Sequence, residues 1–193
     1  KSLLDMGCGT SILHIARMRG AAPCTAVDID EWCVRNSLEN IELNGVDRIS
    51  VFQGDASLLK DQEPFDVIIA NINRNILLND MKRYVSCMHP GSELYMSGFY
   101  VDDIPVIQAE AEHNGLRFVH HKEKNRWAAV SLYYDTTIKG RKRKASYCRV
   151  IPTNSSNVPL KTFRSTSSSM PGTLPTSVCC QKCHLPSYFT EST

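Results

Sequence analysis

Asp5, Gly7 and Gly9 stand in the run Leu3-Leu4-Asp5-Met6-Gly7-Cys8-Gly9-Thr10-Ser11, and Asp28 follows about twenty residues on in Val27-Asp28-Ile29-Asp30. Glycine lets backbone come close to a ligand, and a carboxylate ending a second apolar run can hold a pair of hydroxyl groups. These types at this spacing describe a site for a nucleoside-containing cofactor. The NAD fingerprint needs a third glycine where this chain has Ile12, whereas a Gly-x-Gly-x-small spacing ends here on Ser11.

Charge separates the candidate cofactors independently. A dinucleotide would lay an anionic pyrophosphate over the turn, and a carboxylate at Asp5 would repel it by about 4 kcal/mol at ~4 Å and an effective dielectric near 20. S-adenosyl-L-methionine has no phosphate and carries a sulfonium and an ammonium against one carboxylate, so the same acid attracts it. The sequence therefore favours S-adenosylmethionine over NAD. A glycine-rich turn with no ligand is the plainer reading of the same residues.

Asn71 is the leading candidate for a transfer site. It follows the apolar run Val67-Ile68-Ile69-Ala70 and so emerges at the carboxyl edge of a sheet, where folds of this kind bind ligands. The competing reading makes it a cap for the next helix. Phe99 and Tyr100, after Gly98, are candidates for an apolar channel wall, with simple packing as the alternative, and Trp127 is expected in the core. None of the six histidines pairs with Cys, Asp or Glu at ligand spacing before residue 135, so no metal site is expected there. Further on, Lys139–Lys144 reads as a solvated charge cluster without nucleic-acid binding. Adjacent residues in Cys179-Cys180-Gln181-Lys182-Cys183-His184 converge poorly on one zinc ion.

The elements that must position these residues alternate between β-like and helical patterns as far as Tyr134, the order of a doubly wound α/β sheet. Strands are predicted at 2–6, 24–28, 49–53, 65–70, 93–97, 117–121 and 127–133. A helix should start after the glycines, carrying Ile12, Ile15, Ala16 and Met18. Further helices are predicted over 31–43 with Val34, Leu38 and Ile41 on one face, over 75–88 ending before His89-Pro90-Gly91, and over 102–114. Asp30 is placed to cap the second helix. The last two strands follow each other without a helix, so the sheet should finish in an antiparallel hairpin.

Composition divides the chain. Residues 1–134 hold 13 Lys and Arg against 18 Asp and Glu, while residues 135–193 hold 9 against 2, are about one-third Ser and Thr, and contain five of the nine prolines. The first segment is expected to be a cofactor-binding domain and the second a disordered basic tail. No apolar run reaches the ~18 residues of a membrane span and no signal-peptide pattern opens the chain, so a cytoplasmic protein with no membrane partner is expected. Cys8, Cys24, Cys33 and Cys87 are scattered through predicted elements and are expected as reduced, partly buried thiols.

Asp-x-Gly-x-Gly-x-Ser, Val-Asp-Ile-Asp, Gly-Asp-Ala and Ala-Asn-Ile, in this order on a seven-stranded sheet ending in a hairpin, resemble the class I methyltransferases. With Ala70-Asn71-Ile72-Asn73, Ser97-Gly98-Phe99 and Asn125-Arg126-Trp127, residues 1 to about 134 are similar to the PrmA family, whose members methylate a protein of the large ribosomal subunit. The resemblance implies an S-adenosylmethionine-dependent N-methyltransferase acting on lysine side-chain or α-amino nitrogens of a ribosomal protein. Its cofactor would be held by Asp5, Gly7, Gly9, Asp28, Asp55, Ala56 and Asn71, with Asn71 and the Ile72 carbonyl at the transfer site. Asp55 would accept from the adenine amino group beside the Ala56 amide; its plainer reading is a helix cap. The family has an N-terminal substrate domain and a gate segment upstream of the first strand, so the chain is expected to be a fragment of that pattern. Its last 59 residues are expected to be a fused or frame-shifted extension. Another class I methyltransferase acting on RNA, glutamine or a small molecule, and an inactive cofactor-binding fragment, remain alternatives.

Overall fold

Leu3-Leu4-Asp5-Met6 is buried at all four positions, as expected of a central strand flanked on both sides. It is β1 (Leu3–Met6) of a seven-stranded sheet described by a computed structural model for residues 1–9, 16, 19–60 and 62–135. The other strands are β2 (Cys24–Asp28), β3 (Ile49–Gln53), β4 (Phe65–Asn71), β5 (Met88–Tyr100), β6 (Leu116–Lys124) and β7 (Trp127–Tyr134), and the helices are α1 (Glu31–Asn44), α2 (Arg74–Ser86) and α3 (Ile104–His113). The strand order is β3-β2-β1-β4-β5-β7-β6. β1 to β5 run parallel and β7 is antiparallel to both its neighbours. The expected α/β class and closing hairpin are both present.

Alternation along the strands divides the core. Leu4, Met6, Ile68, Leu94, Met96 and Leu132 pack with Leu77, Met81 and Tyr84 of α2 and with Ile107 of α3, whereas Leu3, Cys24 and Ala26 form a smaller cluster with Ile49, Val51, Val67 and Ile69. Cys8, Cys24 and Cys87 are buried thiols and Cys33 is partly exposed. No described helix is long and apolar enough to cross a membrane, and no group of His, Cys, Asp or Glu able to hold a metal occurs among the described residues.

Several expectations need correction. Leu38 is 49% exposed, because the inner face of α1 is carried by Val34, Ser37 and Ile41, with Ser37 fully buried. α2 ends at Ser86 and Met88 belongs to β5, where it pairs with Phe65. His89-Pro90-Gly91, before which the helix was expected to end, lies inside that strand as an irregularity: the pairing jumps from Phe65 with Met88 to Val67 with Glu93, and Gly91 adopts φ 97°. Bulges tolerate proline, which cannot donate to a ladder. β6 and β7 extend to a two-residue turn, Asn125-Arg126, with φ 52° and 67°, the geometry whose twist matches a hairpin. The third helix begins later than expected, with a 3-10 turn at Val101–Asp103 before Ile104. Trp127 is 43% exposed and lies against Tyr100, with ring centroids 4.5 Å apart and planes tilted by 38°. As the first residue of β7, directly after the Asn125-Arg126 turn, it sits at the end of the strand on the sheet's rim.

Most of the expected first helix lies outside the described residues, although Ala16 packs on the smaller cluster. The basic run at 139–144 and the cysteines at 179, 180 and 183 also lie outside them.

Candidate active site

The strand order reverses at β1, with β2 on one side and β4 on the other, and a crevice opens at the carboxyl ends of strands arranged this way. Gly7 and Gly9 leave β1 at that point with φ 65° and 49°, conformations that a side chain disfavours. The turn is tied to β2 through hydrogen bonds from the Gly7 and Cys8 amides to the Val27 carbonyl, at 2.7 and 3.2 Å. Ser37 of α1 reaches in from behind and its hydroxyl donates to the Gly9 carbonyl.

Asp28 ends β2 and is 7% exposed. Its carboxylate accepts from the Gly9 amide through Oδ2 and from the Asp30 amide through Oδ1, each at 3.1 Å. A carboxylate offers about four acceptor positions, so two remain for hydroxyl groups of a ligand. The site therefore fits a ribose diol at Asp28. Asp5 is fully buried in β1, in register with Ala26 and Ile69, and so has no surface exposed to the crevice. Asp30 caps α1, accepting from the Trp32 amide at 2.9 Å.

Asp55 follows β3 and is exposed. Its side chain accepts from the Ser57 amide at 2.8 Å, capping the 3-10 turn Ala56–Leu59, and hydrogen bonds from Ser57 hold its carboxyl below the ordinary value. The capping reading thus describes what Asp55 does within the chain, with acceptor positions left over for a ligand. Ala56 is buried. Ile29, which the sequence reading did not select, is 74% exposed directly after Asp28. An apolar side chain so exposed beside a ribose-type site suits the face of a planar ring, and its signal was the alternation within Val27-Asp28-Ile29-Asp30.

On the far side of β1, Asn71 is the last residue of β4 and pairs with Ser97 of β5. β2 and β4 are two strand spacings apart, about 10 Å, a distance that an extended ligand lying across β1 would bridge. The Ser97 hydroxyl donates to Asn71 Oδ1 at 2.9 Å, and the Ile72 amide donates to the Ser97 carbonyl at 3.2 Å. The cap of α2 is Asn73, which accepts from the Asn75 amide at 2.8 Å, so capping does not account for Asn71. Phe99 is buried and packs in the core, whereas Tyr100 is exposed at the rim.

The family described as Ribosomal protein L11 methyltransferase (PrmA) matches residues 1–134. The chain is 81% identical over 135 residues to the ribosomal protein L11 methyltransferase of Bacteroides thetaiotaomicron, covering 69% of this chain and 48% of that protein. Against the ribosomal protein L11 methyltransferase of Thermotoga petrophila it is 33% identical over 136 residues, covering 68% and 49%. The chain thus spans about half the length of the curated relatives it matches. Among solved structures it is similar to the ribosomal protein L11 methylase of Lactobacillus delbrueckii subsp. bulgaricus, with TM-score 0.63, 27% identity and 69% of each chain covered. A family model matched over residues 1–134, with relatives from 81% down to 33% identical over the same span, leaves one assignment: this chain belongs to the ribosomal protein L11 methyltransferase (PrmA) family.

Proposed function

We propose that residues 1–134 form the cofactor-binding and methyl-transfer domain of an S-adenosylmethionine-dependent methyltransferase whose substrate is a protein of the large ribosomal subunit, modified at lysine side-chain or α-amino nitrogens. The observation that carries this reading is the placement of Asn71 and Ile72 at the carboxyl edge of β4, two strands from Asp28 and across the Gly7-Gly9 turn. Asp28 holds the ribose hydroxyls, Gly7 and Gly9 admit the ligand to the backbone, and Asp5 supplies a negative field that favours a cationic ligand. Asp55 and Ala56 flank the adenine end.

When bound, S-adenosylmethionine supplies an electrophilic methyl group on a positive sulfur. The amine that takes it must be neutral. A free lysine near pKa 10.4 is neutral about one time in a thousand at pH 7.4, a cost near 4 kcal/mol. Desolvation at a partly buried strand end favours the neutral amine. Asn71 Oδ1 and the Ile72 carbonyl accept its N–H groups and aim the lone pair along the line of displacement. The roles are alignment and exclusion of water, and a strong general base is not needed.

Two measurements test this reading. Calorimetric titration of the 193-residue chain is expected to show binding of S-adenosylmethionine and S-adenosylhomocysteine and none of NAD; the reverse pattern would falsify the cofactor assignment. A chimera in which residues 1–134 replace the matching segment of the Bacteroides thetaiotaomicron relative should add methyl groups to its ribosomal protein. Mass spectrometry then locates them, and methylation confined to RNA or to glutamine would overturn the substrate.

A further inference from the structure

β5 carries an irregularity where it passes the transfer site. Its pairing with β7 runs regularly to Ser97 with Ala129, then resumes at Phe99 with Ala128, so Gly98 is left over. Such a bulge re-aims the residues beside it. Gly98 has φ 96°, and a Cβ built on it would lie 2.5 Å from the Ile72 oxygen, 2.9 Å from its carbonyl carbon and 3.0 Å from its nitrogen. The Ile72 peptide therefore rests directly on the bulge. The residue before it, Ser97, holds the same segment twice, through its carbonyl to the Ile72 amide and through its hydroxyl to Asn71 Oδ1.

An asparagine amide needs such support. Its last torsion is broad and has little preference of its own, so a neighbour must set the plane of the amide. Asn71 and Ile72 are partly exposed, and the described bond to the Asn71 side chain is the one from Ser97, which lies across the strand gap. A carbonyl oxygen has two lone pairs. With one taken by Ser97, the other stays pointed in a fixed direction.

We propose that Ser97 is a positioning residue for methyl transfer: its hydroxyl locks the Asn71 amide plane while its carbonyl and the Gly98 bulge seat the Ile72 peptide, so that both acceptors present one geometry to the incoming amine. This rests on the transfer-site reading of Asn71 and adds to it the element that orients the site. Ser97 acts through Asn71 and Ile72, the residues its hydroxyl and carbonyl hold.

The test is a set of variants in the chimera described above, read by turnover, by the Michaelis constant for the ribosomal protein, by calorimetric cofactor affinity and by melting temperature. Ser97→Ala should lower kcat about ten-fold, with KM and cofactor affinity within about two-fold. Ser97→Thr, which keeps the hydroxyl, should recover most of that loss, and Ser97→Val, of similar volume without it, should not. In an Asn71→Ala background the Ser97→Ala change should cost less than about two-fold, because there is no amide left to orient. Equal turnover of the Thr and Val variants, an undiminished effect of Ser97→Ala in the Asn71→Ala background, or a loss confined to cofactor affinity and melting temperature would each reduce Ser97 to a packing residue. Unchanged turnover in Asn71→Ala alone would overturn the transfer-site reading and this inference with it.

Discussion

Replacing Gly98 by alanine perturbs the seat of the proposed transfer site with the smallest possible group. Two costs follow from the geometry. A φ of 96° is a conformation that L residues rarely adopt, worth about 1–3 kcal/mol. The added Cβ would stand 2.5 Å from the Ile72 carbonyl oxygen, and the obstructing atoms are backbone, so no rotamer change can relieve the overlap. Relief needs the Asn71–Asn73 segment to withdraw by about 1 Å to bring the 2.5 Å approach to ordinary contact, which stretches the 3.2 Å bond from the Ile72 amide to Ser97 and removes about 1 kcal/mol more. The expected loss is ~3 kcal/mol, or about 10 °C in melting temperature for a domain of this size. A displacement near 1 Å at the acceptors should cost turnover about 100-fold. Gly45→Ala is the control: it too has positive φ, at 59°, but nothing lies within 4 Å of its Cβ position, so it should cost ~1 kcal/mol and leave turnover alone. Thermal unfolding of the chain and turnover of the chimera measure both effects. If Gly98→Ala were no less stable than Gly45→Ala, with turnover within two-fold of the parent, the close approach to Ile72 would not govern the site.

Asp28→Ala should weaken S-adenosylmethionine binding by about 1.5–3 kcal/mol in calorimetry, since it removes hydroxyl acceptors and the bond that orders Gly9; an affinity within two-fold of the parent would remove Asp28 from the site. Tyr84→Phe should raise the melting temperature by a few degrees, because the buried Tyr84 hydroxyl has no hydrogen-bond partner among the described residues and burial pushes its pKa up; a fall would reveal a partner. His89 is held between the Pro90 carbonyl, the larger influence, and the Asp66 carboxylate, and both raise its pKa. Its contribution is full below the unfolded value of about 6.5 and is lost as pH rises through the higher folded value. Asp66, lowered first by the Ser2 amide and then by His89, contributes above about pH 4 and is lost as pH falls through its folded value. The stability gap between the parent and His89→Gln should therefore be larger at pH 5.5 than at pH 8, and equal gaps would refute the coupling. Deleting residues 135–193 should leave the melting temperature unchanged, as their composition implies; a drop of several degrees would show that they pack on the domain.

The sequence alone determined the class of the fold, the glycine turn after β1 and the strand ends at which Asp28 and Asn71 stand. Those features are local: Gly7 and Gly9 are required by backbone conformations within a single turn, Asp28 and Asn71 by their places at the ends of apolar runs, and the doubly wound order by the alternation of two periodicities. Tertiary structure alone decided which side chains hold the site in place. Ser37 reads as a polar interruption of an amphipathic helix until α1 docks and its hydroxyl meets the Gly9 carbonyl. Ser97 and Gly98 stand twenty-six residues from Asn71 and Ile72, and only the lateral pairing of β4 with β5 brings them together. Trp127 and Leu38 went to the surface for the same reason: periodicity and hydrophobicity say that a residue can be buried, while the neighbouring strand and the reach of the covering helix determine whether it is.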